Sequence, residues 1–227
     1  MTSFATLTWL HARQLRGAAL LSLALIAAYA LLVAGPERLA TYYESMGDFA
    51  QPGVSVPMLF GAGIAAPMLA REQQRGTVDL AYTQSMLRAR WLAARVLPTL
   101  VLAVATMYGV RAAYGLPPGN HLIWPGEVGT STVRLGFLLY ACALGLCAGA
   151  VLGRTLPAMA VTVAGFLLVW NGGLLLPLVD LLAPHPQVYD PAEYPRVVWA
   201  YGVVLYALAA LWLAITFGWM IRKVPRS

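Results

Sequence analysis

Six apolar stretches, each near bilayer length, constrain this chain more than any other feature of its sequence. A membrane's hydrocarbon core is about 30 Å thick, and an apolar helix of roughly 20 residues spans it. Positions 17–35, 135–153, 155–179 and 197–221 hold no charged residue, and neither does 54–70, the shortest. The stretch 91–114 carries Arg95 near one end and Arg111 near the other, where long side chains reach the interface. No connecting segment exceeds 20 residues, which leaves no room for a soluble domain. The expectation is an all-α membrane protein: one transmembrane domain over 1–227, with six transmembrane helices at about those positions.

Composition agrees. Charged residues make up 11% of the 227, against about 25% in an average soluble domain. The formal charge of +6 finds its explanation in placement. With the N-terminus inside, the cytoplasmic segments hold Arg13, Arg16, Arg71, Arg75, Arg88, Arg90, Arg95, Arg154, Arg222, Lys223 and Arg226. The outer side keeps Arg38, Arg111, Arg134 and Arg196. That imbalance is the positive-inside pattern, with both termini cytoplasmic. The basic balance is therefore a topology signal, and no nucleic-acid partner is expected. The apolar run after Arg16 is longer than a signal-peptide core and five more spans follow it, so it reads as a retained span.

Ahead of that span, 1–16 reads as an amphipathic helix on the inner interface. Phe4, Leu7 and Leu10 recur three apart with Trp9 beside them, while His11, Arg13, Gln14 and Arg16 are polar. A flanking sequence that only sets orientation accounts for these residues equally well. In the outer loops, Pro117, Pro118, Pro184, Pro186, Pro191 and Pro195 stop long helices, and Tyr42, Tyr43, Tyr114, Trp124, Tyr189, Tyr194 and Trp199 form an interfacial belt. The fourth span carries Ala141, Gly145, Gly149 and Gly153 at strict four-residue spacing. Small residues at that spacing let another backbone approach closely. The expected neighbour is a helix of the same subunit.

Catalytic chemistry is hard to place. His11, His121 and His185 all lie outside the spans, the sole lysine is Lys223, and no His, Cys, Asp or Glu cluster has metal-ligand spacing. The G-x-x-x-x-G-K-[ST] phosphate cradle is absent from the sequence. Cys142 and Cys147 read as small packing residues, and Asp180 as an outer-boundary residue. The expectation is a chain that is not an enzyme and holds no cofactor or metal of its own.

The longest cytoplasmic loop, 71–90, has a local order of its own. Gly76 permits a chain reversal, Thr77 can cap a helix start, and Val78 to Gln84 suffices for two turns on the membrane surface. Ser85 can cap the following helix, on which Arg88, Leu92 and Arg95 share a face. Two readings remain open at this level: a short rigid helix that transmits force to the spans, and a solvated basic loop.

Resemblance favours the first. Pro67–Met–Leu–Ala–Arg–Glu72, Gly76–Thr77, Thr83–Gln–Ser85 and Arg88–Ala–Arg–Trp–Leu92 resemble the inner loop of the permease subunits of type-2 ABC exporters, in particular their actinobacterial branch. Tyr82 stands where that branch usually has Trp, and Gln73–Gln74 replace a more acidic run. The resemblance implies two six-span permease subunits, identical or homologous, in the bacterial cytoplasmic membrane. It also implies two copies of a separate ATPase subunit, which hold the ATP and Mg. The coupling element would comprise Glu72, Arg75, Gly76, Thr77, Asp79, Leu80, Tyr82, Gln84, Ser85, Arg88 and Arg90. The second and fifth spans would face the translocation path, with Met58, Phe60, Met68, Phe166, Trp170 and Asn171 as lining candidates. Apolar spans suit a hydrophobic or amphipathic cargo such as a lipid, drug or peptide. The rival readings are a membrane enzyme acting on lipid, and a signalling or assembly subunit on the same scaffold.

Overall fold

In a computed structural model of the chain, residues 6, 9, 13, 15–34, 52–76, 88–114, 127–171, 178 and 194–222 are described. Every regular element among them is helical. Helix α1 spans Arg16–Ala34. Helix α2 (Pro52–Met58), a π-helical segment (Leu59–Ala65) and helix α3 (Ala66–Gln74) follow one another without a break. Helices α4 (Arg88–Tyr114), α5 (Glu127–Leu152), α6 (Thr155–Trp170) and α7 (Tyr194–Arg222) complete the set. Three of them contain stretches long and apolar enough to cross a membrane: Ala89–Val110, Val133–Leu152 and Trp199–Arg222. Arg16–Ala28 and Thr155–Trp170 are shorter apolar helices.

Helix lies over all or most of each of the six apolar stretches read from sequence, with boundaries that differ: the helix of the fourth, α5, begins at Glu127, eight residues ahead of the expected start. The second does not end at 70 but continues as helix to Gln74, so the first residues of the expected loop are helical. The fifth is described as helix only to Trp170, where Asn171 takes the cap position. Its backbone N–H and its Nδ2 both donate to the Leu167 carbonyl, each at 2.9 Å, so the side chain folds back over the last turn.

The π-helical turn has a cause in sequence. Pro67 lacks an N–H, and its ring crowds the carbonyl four residues back. A locally widened helix relieves that clash, and the Ala66 N–H accordingly reaches Gly61 O, five residues back.

Helix α5 is the hub. Of its apolar stretch 78% is buried, against 39% for α4 and 28% for α7. It packs against α7, α6, α3, α2 and the π segment, whereas α1 lies mainly on α4. Lipid tails are as apolar as leucine, so dispersion contacts and internal hydrogen bonds, more than water exclusion, hold such helices together. The hydroxyls buried in the bundle find partners within their own helix: Thr106 donates to Leu102 O at 2.8 Å, Thr162 to Ala158 O at 2.7 Å and Thr216 to Trp212 O at 2.7 Å. Large apolar side chains such as Leu20, Leu31, Leu156 and Trp199 point outward, as a bilayer-facing surface requires.

Candidate functional site

A connected polar group occupies the last turn of α3. Successive helix residues point about 100° apart, so three polar residues in a row address three directions. Glu72 Oε1 accepts from Arg95 Nη1 of α4 at 2.7 Å. Both side chains keep under a fifth of their surface, and the Arg95 guanidinium also lies 5.4 Å from the ring centroid of the buried Trp91. Partial burial strengthens the pair relative to an exposed one.

Gln73 turns inward. Its Nε2 donates to the Ala150 carbonyl near the end of α5 and lies 3.8 Å from Met220 Sδ of α7. The last four carbonyls of a helix have no partner within it. Gln73 thus caps α5 from another helix. Gln74 faces the third way, its Oε1 accepting from Thr155 Oγ1 at the start of α6 across 3.3 Å.

The link between α5 and α6 is only Gly153 and Arg154. Gly153 sits at φ +62°, in the left-handed region that terminates helices, and a Cβ there would approach Gln73 Oε1 to 2.9 Å. Arg154 is extended, and α6 begins at the next residue. The end of α3, the start of α4, the α5–α6 turn and the end of α7 therefore converge at one end of the bundle. Arg71, Arg75, Arg90, Arg154 and Arg222 are all exposed there.

Below this clasp, α5 touches the π segment and the start of α3 backbone to backbone. A side-chain carbon on Gly145 would collide with Gly61 O, and one on Gly149 with Ala66 O. A Cβ on Gly61 would lie 2.6 Å from Ala141 O. Ala141, Gly145 and Gly149 thus receive the widened π segment of the same chain, while Gly153 forms the turn.

Of the residues expected to form the coupling element, Glu72 lies in the clasp, Arg75 follows α3, and Gly76 stands at φ +67°. Arg88 and Arg90 open the described part of α4. Thr77, Asp79, Leu80, Tyr82, Gln84 and Ser85 fall outside the described residues. Of the amphipathic segment 1–16, Thr6, Trp9, Arg13, Leu15 and Arg16 are described, with the Arg13 guanidinium 5.6 Å from the Trp9 ring centroid. Among the lining candidates, Phe60 and Phe166 are fully enclosed by neighbouring helices in this conformation. Met58, Met68 and Trp170 are half-buried and Asn171 is exposed. Phe166 and Trp170 stack with centroids 6.3 Å apart, and Phe137 meets Trp170 at 5.1 Å. Among the described residues, no three His, Cys, Asp or Glu side chains stand close enough to hold a metal ion.

Arg95, Gln73, Gln74 and Thr155 were not among the expected site residues. Their signal is present in the sequence nonetheless: Glu72–Gln73–Gln74 is a polar triplet directly abutting an apolar span, too costly beside lipid unless every member finds a partner.

Comparison with curated proteins and with solved structures finds no match. The profile of the family described as ABC-2 membrane transporter related matches residues 35–175, well over half of the chain. That range takes in the π segment, the clasp on α3, Arg95, the glycine stripe and the α5–α6 turn. The chain therefore belongs to the ABC-2 membrane transporter related family, and is an integral membrane protein of the ABC-2 permease type.

Proposed function

We propose that this chain is the membrane-spanning subunit of an ATP-driven exporter of the actinobacterial kind, with six spans and both termini in the cytoplasm of a bacterium. Two such subunits, identical or homologous, form the path in the cytoplasmic membrane. Two copies of a separate ATPase subunit bind ATP and Mg and dock beneath. Residues 77–87 contain the coupling helix, and the cargo is hydrophobic or amphipathic.

One observation carries this reading. The segment that would meet the ATPase leaves directly from the clasp, where Glu72, Gln73 and Gln74 engage α4, α5 with α7, and α6. A push on residues 77–87 would reach four helices through one turn of α3, provided the segment is gripped from the cytoplasm. The family match supports the ATP-driven part of the reading. Half-buried Met58, Met68 and Trp170 and exposed Asn171 retain surface with which to line a path between subunits.

Co-expression with each ATPase subunit encoded in neighbouring reading frames is the test. The expected result is a complex that survives detergent purification and hydrolyses ATP. A chain that purifies alone with every neighbouring ATPase contradicts the proposal.

A further inference from the structure

We infer that the cleft between the exposed face of α3 and the start of α6 binds the headgroup of an anionic phospholipid, with Arg71, Arg75 and Arg154 gripping the phosphate. The contact between Gln74 and Thr155 sets the two helices side by side. Arg71, Gln74 and Arg75 stand at i, i+3 and i+4 and so share one face of the turn. All three are exposed, as is Arg154 across the cleft. The cleft is shallow and open, lined by Gln74, Gly153, Arg154, Thr155, Leu156 and Pro157, with Arg71 and Arg75 on the turn beside it.

Charge and apolarity are arranged in sequence down this cleft. None of the three guanidiniums has a carboxylate within ion-pair distance among the described residues. Glu72, although adjacent in sequence to Arg71, is turned away to Arg95. Immediately past Arg154 the surface becomes apolar: Leu156 is 77% exposed, and Pro157, Ala160, Val161, Ala164 and Leu168 continue the exposed face along α6. A cationic rim joined to an apolar strip on a membrane-embedded helix matches an anionic headgroup with its acyl chain. An acidic protein surface in the cytosol would satisfy the arginines but could not cover Leu156 and the strip beyond it.

The inference rests on the membrane embedding and on this end facing the cytoplasmic leaflet, and it does not depend on ATP coupling. It is tested by titrating the purified full chain in detergent with phosphatidylglycerol and, separately, phosphatidylcholine, with bound lipid read by native mass spectrometry. Phosphatidylglycerol should bind more tightly. Arg154→Gln and Arg71→Gln should each weaken it about fivefold, the effect of about 1 kcal/mol per basic side chain at an anionic surface. Arg222→Gln removes the same charge from α7, which packs chiefly on α5 and α4, and should leave the preference intact. Equal binding of the two lipids overturns the proposal. So does an Arg222→Gln loss as large as that of Arg154→Gln, since binding would then follow net charge alone. Loss of ATPase co-purification in Arg154→Gln without any lipid preference would assign the surface to the partner and also overturn it. The titration contains no ATPase, so its failure leaves the exporter reading standing.

Discussion

Glu72 and Arg95 meet at 2.7 Å, and through them the last turn of α3 is tied to the first turns of α4. The pair thus joins the end of α3 to α4 directly, side chain to side chain.

That pair should behave as a coupled unit. Glu72→Gln and Arg95→Gln are each expected to lower stability by about 1–3 kcal/mol, between the values for exposed and buried pairs. The exchange Glu72→Arg with Arg95→Glu should recover part of the loss. Thermal unfolding in detergent measures this as a double-mutant cycle, and additive losses would mean that the contact carries no coupling.

Gln73 should matter through the Ala150 carbonyl. Gln73→Leu keeps the bulk but leaves that carbonyl without its donor, at an expected cost of about 1–2 kcal/mol. Hydrogen exchange should rise around Gly153 and Arg154, because the turn loses its external brace. Unchanged exchange there would show that α5 ends as firmly without Gln73.

The backbone contact between α5 and the π segment makes an asymmetric prediction about glycines. Gly145→Ala directs a methyl into the Gly61 carbonyl and should destabilise by about 1–3 kcal/mol or more, as overpacked sites do. Gly63→Ala, two residues from Gly61, meets only Leu59 Cδ1 at 3.5 Å and should be neutral or slightly stabilising. Equal losses at both positions, read from unfolding midpoints, would contradict the close crossing.

Much of this arrangement was legible in the sequence because membranes impose simple rules. Length and the absence of charge located the apolar stretches, and the four-residue spacing of Ala141, Gly145, Gly149 and Gly153 pointed to a close crossing, which the first three make while Gly153 forms the turn. The partner in that crossing was harder to read, since it is a backbone surface: Gly61 and Ala66 contribute carbonyl oxygens, not side chains. The continuation of the second apolar stretch as helix to Gln74 was obscured for a related reason. Arg71, Glu72, Gln73 and Gln74 look like loop by polarity, yet each amide there can still bond within the helix while its side chain turns to a neighbour or to the interface. At the end of α6 Asn171 folds its side chain back onto the Leu167 carbonyl, a local contact that hydropathy does not register. Arg95 lay within an apparent span, where its charge read as a snorkelling end group; its pairing with Glu72 needed the two helices side by side.

The most direct measurement places a photo-cross-linking side chain at Tyr82 in the chain co-expressed with its ATPase. Illumination in intact membranes should yield one covalent adduct with the ATPase subunit, lost when residues 77–87 are replaced by a flexible glycine–serine stretch. Adducts to lipid alone, or labelling of that position by a reagent confined to the outside, would contradict a cytoplasmic segment held by an ATP-hydrolysing partner.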